Sequence, residues 1–169
     1  MKNIMCGYDK FCLSYKVIES FLILSALSGL VVEAENRTIT DLFGPIDTIS
    51  DKCLLYAERL YQYYIDPQAH PKYSHYCDSA FVEVQNWPIL AGVKILKHLQ
   101  CEDNDPNYIA ISNTHNAFIA LYDLEKYTKE KKLELVKDLI EKVKEMKTVL
   151  NASTKIYTRE IDFTVDDMK

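Results

Sequence analysis

An all-α fold, a single-domain helical bundle of four to five helices, is what the sequence predicts, on the evidence of composition, length and one periodic segment. With 4 Gly and 5 Pro in 169 residues, and with Lys, Glu, Leu and Ala spread along most of the chain, the turn-rich pattern of an all-β protein is missing. An apolar fraction of 48% over this length supports one domain with its own core. Thr128 to Leu150, TKEKKLELVKDLIEKVKEMKTVL, gives the clearest helix. Leu133, Val136, Ile140, Val143 and Leu150 recur at three- and four-residue steps, Leu139 and Met146 widen the stripe, and Lys and Glu fill most other positions. Thr128 caps the amino end, and Asp138 and Lys142 sit one turn apart.

From the amino end, Phe21 to Val32 (FLILSALSGLVV) is uncharged, follows Lys2, Lys10 and Lys16, and runs into Val32-Glu33-Ala34, a pattern compatible with cleavage after Ala34. Residues 1–34 are therefore either a signal peptide, making the protein secreted or extracellular, or an amino-terminal core helix of a cytoplasmic one. The second reading rests on Phe11, Tyr15, Ile18, Leu22, Ala26 and Gly29, which also fall at helical steps. Glu19 and Glu33 leave too short an apolar run for a stable membrane span. Two N-x-S/T tripeptides, Asn36-Arg37-Thr38 and Asn151-Ala152-Ser153, fall in predicted loops and agree with export, although such tripeptides also arise by chance.

After the break at Phe43-Gly44-Pro45, a helix over residues 46–65 carries Ile49, Cys53, Tyr56, Ala57, Leu60 and Tyr64 on one stripe, and Pro67 and Pro71 end it. Residues 73–101 read as helix with a change of direction at Asn86-Trp87-Pro88. Either Asn86 caps a new helix there or the proline kinks a continuous one, with Trp87 plugging the core at the bend. Ala80, Phe81 and Val84 line its first half; Leu90, Ala91, Ile95 and Leu99 line its second. Asp105-Pro106, a cap followed by proline at the first helical position, opens a helix over 106–127 with Ile111, His115, Phe118 and Tyr122 on one stripe. Its short junction with the helix over 128–151 predicts an αα-hairpin. Residues 35–155 form the predicted bundle. The tail, 156–169, reads as unstructured, with an alternation at Ile161, Phe163 and Val165 of the kind an extended segment shows.

Cys6, Cys12, Cys53, Cys77 and Cys101 have neither C-x-x-C nor metal-finger spacing. The last three fall on apolar faces of predicted helices, as buried free thiols do. The phosphate-loop, dinucleotide, zinc-protease and serine-hydrolase signatures are all missing from the sequence. No catalytic residue or cofactor is assigned, and the protein is read as a non-enzymatic module that binds another protein. Its candidate interaction surface is Tyr56, Tyr61, Tyr63 and Trp87, because aromatic residues are enriched at binding hot spots; rings that border a core are the competing reading. His70, His75 and Cys77 are the candidate metal ligands, although His75 and Cys77 reach one ion only from an extended backbone. A net charge of −5 argues against a general nucleic-acid binder.

The layout from Asp51 to Leu150, a helix, a turn, a helix with an aromatic-rich bend and a close helix pair, resembles small HEPN-type helical domains, many of which bind nucleotides or act on RNA. Active members of that family carry an Arg followed four to six residues later by His. Arg37, Arg59 and Arg159 have no such His. The resemblance therefore implies an intracellular domain associated with nucleotide or RNA but without that nuclease motif, in which Lys129, Lys131 and Lys132 face phosphate.

Overall fold

The computed structural model describes residues 35–159. Their order is β1 (Glu35–Thr38), α1 (Ile39–Phe43), α2 (Ile46–Ile65), α3 (Ser79–His98), α4 (Pro106–Ile119), α5 (Lys129–Ala152) and β2 (Ile156–Arg159), with 3-10 turns at Pro71–Cys77 and Leu124–Lys126. Cys6, Cys12, the whole of 1–34 with its two alternative readings, and Ile161, Phe163 and Val165 lie outside the described residues. The chain divides into Thr38–Lys155 and a second unit made of Met1–Arg37 with Ile156–Lys169. Within the second unit β1 and β2 pair as a two-stranded sheet, and the Thr158 hydroxyl donates to Asn36 Oδ1 at 2.9 Å. The tail thus opens on a short strand, Ile156–Arg159, ahead of the alternation read at Ile161, Phe163 and Val165.

Thr38–Lys155 is an all-α bundle, and α5 is its common wall. Thr128 caps this helix by accepting from the Lys131 N–H. Val136, Leu139, Val143, Met146 and Leu150 step along it by three and four residues, and all are buried. Leu133 and Ile140, expected on the centre line, are only half-buried. The seam is turned toward Leu139 and Met146 because α5 must cover two neighbours, α2 and α4, and its centre lies between them. Lys142 pairs with Glu145 at 3.7 Å, one turn onward.

Cross-helix partners fix the directions. Asp47 meets Asn151, Asp51 meets Lys147, Tyr61 meets Lys137 and Tyr64 meets Lys132, so α2 and α5 run antiparallel. Asn107 Nδ2 donates to the Ser153 hydroxyl at 2.7 Å, and the Thr114 hydroxyl reaches the Lys142 carbonyl at 3.1 Å, so α4 and α5 form the expected antiparallel hairpin. Asp105, which caps α4 through the Asn107 and Tyr108 N–H groups, is buried with its second oxygen 2.7 Å from Lys155 Nζ. That contact holds the Lys155 ammonium above the usual lysine range, with the hydrogen bond to Asp105 as the leading cause. The open end of the hairpin is therefore clasped by an ion pair and an amide–hydroxyl bond.

α3 departs most from expectation. It starts after Asp78, whose side chain accepts from the Ala80 N–H, and runs through Asn86-Trp87-Pro88 to His98 without a break. Of the two readings at this proline, the continuous helix is the one that forms, and the 3-10 turn Pro71–Cys77 precedes it. Pro88 removes one helical hydrogen bond, a loss of about 3 kcal/mol in an isolated helix, which packing of the buried face offsets. That face is Val82, Asn86, Ile89, Val93 and Leu96, not the row through Ala80, Leu90 and Ala91, because it accommodates a polar Asn86 and a bare Gly92. A Cβ at Gly92 would stand 2.7 Å from the Phe43 ring, so this glycine is the seat on which α1 docks. Trp87, expected as a core plug, is 45% exposed on the outer side of α3.

Two predicted loop positions are also revised. Asn151 belongs to the last turn of α5, where its Nδ2 donates to Asp47 Oδ1 at 2.8 Å, and Asn36 lies in β1. Of the described cysteines only Cys53 is buried; Cys77 and Cys101 are half-buried, and all three are free thiols.

The α5 seam makes a direct prediction. Val143→Lys puts an unpaired ammonium into the seam shared by α2 and α4, at a cost comparable with the whole stability of a domain, about 5–15 kcal/mol. Ile140→Lys, at a half-buried position where the ammonium can reach water, lowers stability by about 1–2 kcal/mol and leaves a folded bundle. Urea unfolding followed by circular dichroism distinguishes the two; a cooperatively folded Val143→Lys protein contradicts the assignment.

Candidate functional site

The carboxyl-terminal half of α2 and the 3-10 turn after it form one aromatic surface. Asp66 ends α2 and folds the chain back by accepting the N–H groups of Gln68 and Ala69 at 3.2 and 3.1 Å. Pro71 then opens the 3-10 turn, which lies along α2. The Tyr56 hydroxyl donates to the Tyr76 carbonyl at 3.0 Å, and the Arg59 guanidinium donates to the Tyr76 hydroxyl at 2.8 Å while lying 5.6 Å from the Tyr73 ring centre. Ring contacts complete the cluster: His70 stacks on Tyr73 at 5.5 Å, Tyr73 meets Tyr76 edge-on at 5.7 Å, and Tyr76 meets Phe81 at 5.0 Å. Each such pair adds about 0.5–1.5 kcal/mol beyond area burial. A segment with no buried side chain of its own is thereby held in one shape.

The four candidate surface residues are placed differently. Tyr56 is a correction: it is 2% exposed and stacks on Phe118, so it belongs to the core and anchors the turn from below. Burial pushes its hydroxyl well above the ordinary tyrosine range. Tyr61 is half-buried on the α5 side, with Lys137 Nζ 5.7 Å from its ring centre. Tyr63 is half-buried and meets Tyr64 edge-on, and Trp87 stands on α3. Arg59, Tyr73 and Tyr76, which the sequence reading passed over, join the cluster instead. Their available signal was spacing: Tyr56 and Arg59 lie one turn apart on a helix that a proline-rich turn must fold back upon.

His70, His75 and Cys77 are not gathered into a ligand set. His70 is committed to Tyr73, His75 sits 4.2 Å from the Tyr76 ring and edge-on to Phe81, and the Cys77 thiol pairs with the Tyr64 hydroxyl. Among the described residues no group of three or more His, Cys, Asp or Glu is arranged to hold a metal ion. Burial raises the Cys77 thiol and pushes Cys53 up to about 12, so neither is held as a thiolate, the form a cysteine nucleophile needs.

The chain matches no family model, no curated protein and no solved structure. Among the described residues no helix is long and apolar enough to cross a membrane.

Beside the aromatic surface lies a polar cleft of about 570 Å³, walled on one side by Ser74, His75, Cys77, Asp78 and Ser79 and on the other by the turn Tyr122 to Lys126. Tyr122 ties this second wall to the core. Its hydroxyl accepts from Asn86 Nδ2 at 2.8 Å, and the same amide faces His115 Nδ1, with Nδ2 at 2.9 Å and Oδ1 at 3.1 Å. Asn86 is fully buried, so its amide needs these partners. Burial, followed by the charges of Lys97 and Lys94, holds the His115 imidazole below its ordinary pKa of 6.5, which suits the neutral ring that can accept at Nδ1.

The lysines that would face phosphate are engaged within the chain. Lys129 Nζ donates to the Ile65 carbonyl at 3.0 Å, Lys131 pairs with Glu134 at 2.8 Å, and Lys132 lies 5.3 Å from the Tyr64 ring centre.

Arg59→Ala removes the two Arg59 contacts to the 3-10 turn and leaves the Tyr56 hydrogen bond in place, a loss of about 1 kcal/mol in local stability, equivalent to about fivefold in the open population. Trypsin cleavage after the exposed Lys72 should accelerate by that factor, while Tyr76→Phe, which keeps the ring but loses the hydroxyl, gives a smaller increase. Unchanged cleavage in Arg59→Ala would mean that the turn is fixed by other contacts.

Proposed function

We propose that the bundle is a non-enzymatic protein–protein interaction module whose recognition face is the outer side of α2 with the turn Pro71–Cys77. One observation carries the reading: Arg59, Tyr63, Tyr73 and Tyr76 are half-exposed yet already locked to one another or to α2. Ordered Tyr and Arg side chains offer large contact area with little conformational entropy left to lose, which is the physical basis of their enrichment at hot spots. The reading shifts the surface proposed from sequence away from Tyr56 and toward the turn, retaining Tyr63.

Intramolecular engagement of Lys129, Lys131 and Lys132 leaves the nucleotide- or RNA-associated alternative with less support. Export remains part of the proposal through Val32-Glu33-Ala34 and the two sequons. Amino-terminal sequencing of protein from its native source is expected to begin near Glu35; a retained Met1 removes that part and leaves the binding face untouched.

The binding face is tested by photo-crosslinking. A benzophenone side chain replacing Tyr73 in the full chain is expected to give a discrete adduct that the same probe at the exposed Lys144 does not. Tyr63→Ala with Tyr76→Ala should reduce that adduct about tenfold or more, as loss of hot-spot contacts does, without changing the circular dichroism spectrum. Equal adducts at both probe positions would overturn the assignment.

A further inference from the structure

The binding face on α2 does not include Trp87. That ring stands 45% exposed on α3, and the half-buried Leu90 and exposed Lys94 follow it at steps of three and four residues, outside the buried row through Val82, Ile89 and Leu96. α4 lies alongside and antiparallel, since Asn86 meets His115 while a Cβ at Gly92 would meet Ile111. On α4 His115 and the 45% exposed Ile119 stand one turn apart. α5 reaches α4 from its other side, through Asn107 and Thr114, so the outer side of the α3–α4 pair is left uncovered by the described helices.

Charge sets this side apart. In a chain with 25 Asp and Glu and a net charge of −5, residues 84–101 and 106–122 contain no acid, and they carry Lys94, Lys97, His98 and His115. Lys94 and Lys97 are exposed, and neither is in an ion pair with a described residue. Both act on the His115 imidazole, which puts the three groups on one side of the helix pair. The acids of the α3–α4 connection are directed elsewhere: Asp105 pairs with Lys155, Glu102 acts on the same ammonium, and Asp103 acts on Cys101. Glu83 stands one turn before Trp87, toward the amino end of α3, with the lysines toward the other.

We infer that the outer side of α3 and α4 is a second docking surface, whose partner is an acidic amphipathic segment of another protein, with apolar side chains on Trp87 and Ile119 and carboxylates on Lys94 and Lys97. Trp is among the residues most enriched at hot spots, and an ammonium without an internal counter-charge gives up no ion pair when a carboxylate arrives. Glu83 sets the direction, because the partner's acids must lie toward the carboxyl end of α3. An anionic lipid surface fits less well: two lysines give it little to hold, and it repels a chain of net negative charge. This surface is independent of the binding face proposed above.

Fluorescence anisotropy with the full chain tests it. The probe is a labelled peptide of Leu, Glu and Ala, with Leu at three- and four-residue steps and Glu beside them, compared with the same peptide carrying Gln for every Glu. The Glu peptide should bind about tenfold tighter at low salt, and the difference should shrink as salt rises. A general electrostatic effect has the opposite sign, because the chain is negative overall. Lys94→Glu with Lys97→Glu should remove the difference, and Trp87→Ala should weaken both peptides about tenfold. Lys52→Glu with Lys144→Glu, the same charge change at exposed positions outside this surface, should keep the difference. Equal binding of the two peptides by the unmodified protein, or loss of the difference in both double variants alike, overturns the inference. Capture by phosphatidylserine vesicles that Lys94→Glu with Lys97→Glu abolishes, with the two peptides bound equally, assigns the surface to lipid and overturns it as well.

Discussion

Val136, Leu139, Val143, Met146 and Leu150 belong to one helix but serve two neighbours, because α2 and α4 both lie against the seam they make. α3 is reached through α4, and α1 is reached through Gly92 of α3. The aromatic turn rests on α2, and the second wall of the cleft follows α4. The helices of Thr38–Lys155 and the turns between them are therefore positioned, directly or at one or two removes, by the apolar face of α5. Its charged outer face looks more conspicuous in the sequence, yet the interleaved Lys and Glu there serve solubility and local pairing. Packing over a shared seam is the larger energetic effect, since each exposed i,i+3 pair contributes about 0.2–0.5 kcal/mol and burial of one aliphatic side chain several times that.

Polar groups in the core do a different kind of work. Asp105 with Lys155, Asn107 with Ser153, and Asn86 with His115 and Tyr122 each join elements far apart in the chain at defined points. Apolar faces can slide past one another by a turn at modest cost, whereas a buried amide displaced from its partners is left unsatisfied. These contacts fix register along the α4–α5 and α3–α4 pairs, and the aromatic cluster does the same for a turn that has no buried side chain.

What was legible in the sequence follows from the range of the forces involved. The limits of α2 were readable because Gly44-Pro45 precede it and Pro67 follows, and the start of α5 because Thr128 is a local cap. At Asn86-Trp87-Pro88 the continuous helix forms and not a new one capped by Asn86: a proline signals locally, but the energy that keeps α3 helical through Pro88 comes from packing against α4 and α1. Asn86 read as a cap for the same reason, since its partners lie 29 and 36 residues away. Tyr56 stood both on a predicted core stripe and in a surface cluster of tyrosines, and only the folded-back turn settles which role it takes. His70, His75 and Cys77 were grouped by proximity in sequence, and the turn sends each to a different aromatic partner.

The antiparallel pairing of α2 with α5 carries a consequence for synthesis. Asp47 bonds Asn151 across 104 residues, and the seam that covers both α2 and α4 is translated after both of them. Until α5 has left the ribosome, the nascent chain holds two apolar helical faces with nothing to cover them. A message truncated before Lys129 would therefore yield a product prone to aggregate rather than a smaller bundle.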